Sequence, residues 1–218
     1  MTGHPGVLAA ATAWLLFTIT AYAAAPASEQ AHQILTHLHF PTGEQVPFTQ
    51  SQVNPLLRSV ARQQGVMFKS PDQGLVMRVT APRPEERSLH DGFMTLRREK
   101  SARHGPGKRT ATRHMKLDPN KPGHLPLLAL QALLHGDVAL LGEHFQLAAS
   151  ANGASWQVSL VPQNERVRKK LARLLIVGTD SQLSSFRSER DNAAGDTTHW
   201  LEVVINPPQA RTASGPDT

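Results

Sequence analysis

The tightest constraint on this chain is a two-residue beat of apolar and polar side chains, interrupted at short intervals by turn formers. In Leu75 to Thr80, Leu75, Met77 and Val79 fall on one side while Val76, Arg78 and Thr80 fall on the other. Only an extended strand sends successive side chains to opposite faces. Gly65 to Lys69 precedes this segment, and Ser70-Pro71-Asp72-Gln73-Gly74 supplies the turn between them. Asp91-Gly92, between Arg87 to His90 and Phe93 to Arg98, is the strongest hairpin signal. Tight hairpins need positive φ at both central residues, which this pair tolerates. Phe48 to Val53 alternates weakly, and Lys108 to Leu117 is a strand rich in Thr and Arg. After Phe145 the beat returns in Trp156, Val158 and Leu160, and Pro162 stops it. Leu171 to Val177, Leu183 to Glu189 and His199 to Ile205 complete a second group. The rhythm predicts about nine to eleven short strands in an antiparallel sheet that curls into a barrel or half-barrel.

Two segments keep a helical period instead. Ser28 can cap a short helix that gathers Ala31, Ile34, Leu35 and Leu38 on one face before Pro41 and Gly43 end it. Leu125 to His135 is apolar around nearly its whole circumference, with Leu127, Leu128, Leu130, Ala132, Leu133 and Leu134. A helix with no polar face has to be covered or has to face an apolar space. Gly136 suits its C-terminal cap, and Asp137 can cap a second short helix through Leu141. With no parallel-sheet crossover rhythm, these helices are expected to plug or cover the concave face of the sheet.

The first 25 residues carry an apolar run from Val7 to Tyr22, then Ala21-Tyr22-Ala23, a small-x-small pattern. The run is short for a bilayer span and ends at a cleavage pattern, so it reads as a secretory signal peptide. Its flank, Met1 to Gly6, lacks Lys and Arg. Residues 1–25 are thus expected to be a leader, 26–208 a single domain, and 209–218 a disordered tail. The chain has no cysteine, so it can build neither disulfides nor thiolate metal sites, nor be acylated on cysteine. A small cysteine-free exported domain fits a bacterial periplasm. The net charge of +6 would otherwise raise nucleic acid as a partner, but no nucleic-acid-binding motif accompanies it.

The chain carries few motifs of catalytic chemistry. There is no nucleophile elbow, phosphate loop or zinc-protease helix. His32, His37 and His39 lack a nearby carboxylate to complete a metal shell and read as exposed polar residues. His135-Gly136-Asp137 reads as a helix end followed by a cap, and Glu85-Glu86 and Glu143 give little support to a carboxylate pair. No catalytic residue, cofactor or metal is expected. The basic stretch Arg97, Arg98, Lys100, Arg103, Lys108, Arg109, Arg113 and Lys116 reads as a solvated face or as a landing surface for an anionic membrane or partner. Val167 to Arg173 is open between a basic strand edge and an amphipathic surface segment.

In order along the chain, several motifs resemble the periplasmic outer-membrane lipoprotein carrier (LolA) family, as a divergent LolA-like member. They are the N-terminal helix, Phe48-Thr49-Gln50, Gly65 to Pro71, Leu89-His90-Asp91-Gly92, Leu133 to Asp137, Leu160-Val161-Pro162 and Val203 to Pro208. The resemblance implies a strand-dominated α+β fold, an unclosed antiparallel β-barrel (half-barrel) whose helices form a lid over its concave, apolar face. It implies a cavity for acyl chains, with Phe68, Leu75, Met77, Leu127, Leu128, Leu130, Leu134 and Phe145 as the expected lining. The family's carriers place an arginine before the turn proline; here that position is Ser70, with Lys69 beside it. Lys69, Arg97 and Arg98 are the expected contacts to a head group or partner. The implied role is a monomeric, non-enzymatic carrier of a lipoprotein or other acylated cargo, between an inner-membrane exporter and an outer-membrane acceptor. A lipid-modifying or hydrolytic enzyme and an adaptor docking to an envelope export complex are the alternative readings.

Overall fold

A computed structural model describes residues 27–38, 40, 42–54, 59–101, 108–191 and 197–205. The leader, His39, Arg103 and the tail after Ile205, including the Pro207-Pro208 motif, lie outside the described residues.

Eleven strands form one antiparallel sheet that does not close. The first group is β1 (Val46–Asn54), β2 (Ser59–Ser70), β3 (Gly74–Ala81), β4 (Glu85–His90), β5 (Phe93–Ser101) and β6 (Lys108–Lys116). The second is β7 (Phe145–Asn152), β8 (Ser155–Pro162), β9 (Arg173–Thr179), β10 (Gln182–Asp191) and β11 (Thr197–Ile205). The spatial order is β6-β5-β4-β3-β2-β1-β11-β10-β9-β8-β7. Each group is a meander of neighbours, and the pairing of β1 with β11 joins the two in the middle. The Asp91-Gly92 turn behaves as its sequence predicts, with φ of 48° and 75°.

This order explains the helices. The chain leaves the first group at β6, one end of the sheet, and must re-enter at β7, the opposite end. The connection between those ends is α2 (Leu125–His135) followed by α3 (Val138–His144). It therefore has to cross a whole face of the sheet, and the apolar circumference of α2 is what lets it do so. Gly136 caps α2 at φ 69°, and the Asp137 side chain accepts a hydrogen bond from the Leu140 N–H at 3.0 Å to start α3. Helix α1 (Ala27–Thr36) buries Ala31 and Leu35 and packs along β7 and α3. The basic segment after Gln163 is neither strand edge nor flat surface. Asn164 caps a single helical turn, α4 (Glu165–Arg168), which buries Val167 and delays the next strand to Arg173.

Register sorts the side chains into two faces. The helix-covered inner face carries Phe48 on β1, Met67 on β2, Leu75, Met77 and Val79 on β3, and Leu89 on β4, all nearly inaccessible to water. On the other side of the seam it carries Val203, Phe186, Ile176, Val158, Leu160 and Leu174. These residues form one continuous core with α1, α2 and α3.

Candidate functional site: a cleft between helix α2 and the sheet

Pro126, Leu127 and Leu130 of α2 face Met77, Leu89 and Met94 of β3 to β5, and Phe186, Leu201 and Val203 of β10 and β11. Between them lies a cavity of about 70 Å³. Among the described residues its polar lining groups are Gln50 and Arg87. An apolar void of about 150 Å³ accepts a benzene ring, so this one has room for only a few methylenes.

Three of the expected lining residues, Met77, Leu127 and Leu130, meet at this cavity. Leu75 and Leu134 lie in the filled core beside it, and Leu128 is half-buried against that core. Phe145 is buried where β7 begins, outside the cavity lining. Phe68 corrects the sequence expectation. It stands opposite Val76, one residue out of phase with the inward-facing Met67 and Met77, so it occupies the other face of the sheet. There the Arg78 guanidinium lies 5.4 Å from its ring centroid.

Two ties hold α2 down. The Lys69 ammonium donates to the Leu134 carbonyl oxygen at 3.0 Å, satisfying an acceptor in the last turn of the helix. The Gln131 side-chain oxygen accepts from the Gly92 N–H at the tip of the β4–β5 hairpin, at 3.3 Å. Both ties end on main-chain atoms.

The arginines expected to reach a head group separate onto opposite faces. Arg97 is outward, more than half exposed, and pairs with Glu86 at 3.4 Å; Glu86 also takes Arg78 at 3.1 Å. Arg98 is inward, because it pairs with Glu85, which itself stands opposite Val79 on the inner face. Glu85 is almost wholly buried, its side chain 2% exposed, and is clasped by both Arg87 and Arg98. Arg87 donates further to the side-chain oxygens of Gln63 at 2.9 Å and Gln50 at 3.3 Å. Burial alone would push the Glu85 carboxyl up, but hydrogen bonds and charge from Arg98 and Arg87 outweigh it and hold the group below its ordinary value. Held ionised between two guanidiniums, Glu85 has no proton to give, so it is placed as a structural counter-charge rather than a general acid.

Sequence reasoning did not find Gln50, Glu85 or Arg87 at this site. The one available signal was strand parity: Glu85, Arg87 and Leu89 share a face, so an apolar Leu89 facing inward carries the two charges inward with it.

Among the described residues no group of three or more His, Asp or Glu is arranged to hold a metal ion. His32 and His37 sit one helical turn from the carbonyls they contact, those of Ser28 and Gln33 at 2.8 and 2.7 Å. No helix among the described residues is long and apolar enough to cross a membrane.

A family model described as "Outer membrane lipoprotein carrier protein LolA-like" matches residues 23–201. Among solved structures, a LolA superfamily protein from Nitrosomonas europaea aligns over 84% of this chain and 91% of its own, at 9% identity and a TM-score of 0.35. No curated protein matches the sequence. An open antiparallel sheet, a crossing apolar helix and an apolar cleft beneath it accompany a family match over most of the chain, which belongs to the LolA-like family of outer-membrane lipoprotein carrier proteins.

Proposed function

We propose that this protein is a periplasmic carrier that shields the acyl chain of a lipoprotein or lipid on its way from the inner to the outer membrane. The observation that carries the reading is the cleft under α2, apolar but for Gln50 and Arg87, in a chain of this family. Its N-terminal apolar run is taken as the export signal, and its partners as an inner-membrane exporter and an outer-membrane acceptor.

The energetics suit the task. Withdrawing an acyl chain from water gains about 0.8 kcal/mol per methylene, so a twelve-carbon chain gains on the order of 10 kcal/mol. Non-directional contact of this kind holds a tail without fixing its register, and a methionine such as Met77 or Met94 adapts to its shape. At about 70 Å³ the closed cleft cannot hold such a chain whole, so loading requires α2 to lift. The helix is suited to lifting: two hydrogen bonds, from Lys69 and to Gln131, tie it at its C-terminal half. The neutral bond is worth about 1 kcal/mol and the charged one about 2, and the acyl chain covers in turn the apolar residues that lifting uncovers on α2.

Titration of the purified protein with the uncharged fluorophore N-phenyl-1-naphthylamine tests the reading. The dye should brighten on binding and be displaced by lauroyl compounds, and native mass spectrometry of protein taken from its own periplasm should show retained acyl material. A folded protein that neither brightens the dye nor retains lipid would overturn the carrier function.

A further inference from the structure

The inner face changes character within one pleat. Along β4, Leu89 lies in the cleft and the next inward residue is Arg87; along β6, Met115 packs on the core and the next inward residue is Arg113. Two residues of strand span about 7 Å, so charge begins directly where the apolar floor ends. Arg87 stands opposite Leu96, and Leu96 stands opposite Arg113, so the two arginines share the inner face on strands two apart, their backbones about 10 Å apart across the sheet. Arg98 joins them one pleat further along β5.

Among the described side chains, three arginines on this patch face a single carboxylate. Glu85 takes Arg87 and Arg98, which leaves the patch with two positive charges in excess. Gln50 and Gln63 are neutral acceptors and do not change that sum. Arg113 is exposed and has no ionic or hydrogen-bonding partner among the described residues. An apolar wall on one side of these cations weakens screening and strengthens their pull on an anion.

We propose that the cargo is an anionic amphiphile. Its single acyl chain lies under α2, and its carboxylate or phosphate head sits over Arg87 and Arg113, with Arg98 adjoining. The inference rests on the carrier reading and narrows its cargo. A phosphate or carboxylate there would complete the charge balance that Glu85 leaves unfinished, and its hydrogen bonds to guanidinium would be charge-assisted.

Displacement of N-phenyl-1-naphthylamine by three twelve-carbon ligands tests it: dodecanoate, dodecyl phosphate and uncharged monolauroylglycerol, all below their micellar concentrations. At low salt the better anion should displace the dye at about tenfold lower concentration than the neutral ligand, the size expected of one charge-assisted contact. Whichever anion wins names the head group. Arg113→Gln should cut the anion advantage to about threefold or less and leave monolauroylglycerol unchanged. Arg97→Gln removes the same charge from the outer face and should leave the advantage intact. Equal displacement by neutral and anionic ligands, or equal losses in the two variants, overturns this inference while the carrier reading stands. Failure of all three ligands overturns both.

Discussion

Each half of the sheet buries one glutamate between two arginines, but on opposite faces. In the first half Glu85, with Arg87 and Arg98, faces inward toward α2. In the second half Glu189 is clasped by Arg173, with Arg187 at 3.8 Å, on the face away from Phe186 and Ile176. Arg187 also pairs with Glu202 at 2.7 Å. The inner face of the second half is correspondingly apolar from Leu147 to Phe186; α1 and α3 pack on it at β7, and at β10 and β11 it supplies the apolar wall of the cleft. The first half keeps polar groups where a core would be, and the cavity opens beside them. The same ionic unit thus braces a wall in one place and edges a cleft in the other. The second half gives the cleft an apolar wall, and the first half gives it both an apolar floor and a charged edge.

Substitutions should tell the halves apart. The largest effect is expected for Leu160→Ala, at a fully buried site of the second half. It should lower stability by about 3 kcal/mol in urea denaturation, through lost transfer energy and a residual cavity, without changing dye affinity. Next comes Glu85→Gln, which leaves Arg87 and Arg98 without their counter-charge and should cost about 2 to 3 kcal/mol at neutral pH. Because the Glu85 carboxyl is held below its ordinary value when folded, its contribution is complete above the usual carboxylate range and is lost as pH falls through the lowered value. The gap between wild type and Glu85→Gln should therefore stay level from pH 7 to about 5 and close in acid. An unchanging gap down to pH 2 would show that the carboxylate charge is not what matters.

Glu189→Gln should cost less, about 1 to 2 kcal/mol, since Arg187 retains Glu202. It should leave binding of anionic ligands unaffected; altered anion binding would erase the distinction between the two clusters. The smallest stability change, under about 1 kcal/mol, is expected for the half-buried Leu127→Ala. That variant enlarges the cleft and should instead shift the preferred chain length of lauroyl-type ligands upward in the dye assay.

Local chemistry was legible in the sequence and distant pairing was not. Asp91-Gly92 and His135-Gly136-Asp137 dictate their geometry within a few residues, so the hairpin and the break between α2 and α3 could be read directly. Leu127, Leu130 and Met77 were legible as apolar positions of a helix and a strand, and the family resemblance is what implied that they line a cavity. Phe68, expected in the lining, falls on the other face because the hairpin register sets Met67 inward instead. The polar end of the cleft draws on β1, β2, β4 and β5, with Arg87 reaching partners 37 and 24 residues back along the chain. No local pattern announces that a Glu-x-Arg segment will turn its charges inward; only the strand order does.

Of the two ties on α2, the one from Lys69 grips the Leu134 carbonyl, a group present whatever side chains the helix displays, and the one to the Gly92 amide asks the helix only for Gln131. Leucines at 127 and 130 could be exchanged for larger or smaller residues and the fastening would persist. Closure and fit are thereby uncoupled: the leucines that shape the hollow can change while the clasp stays as it is.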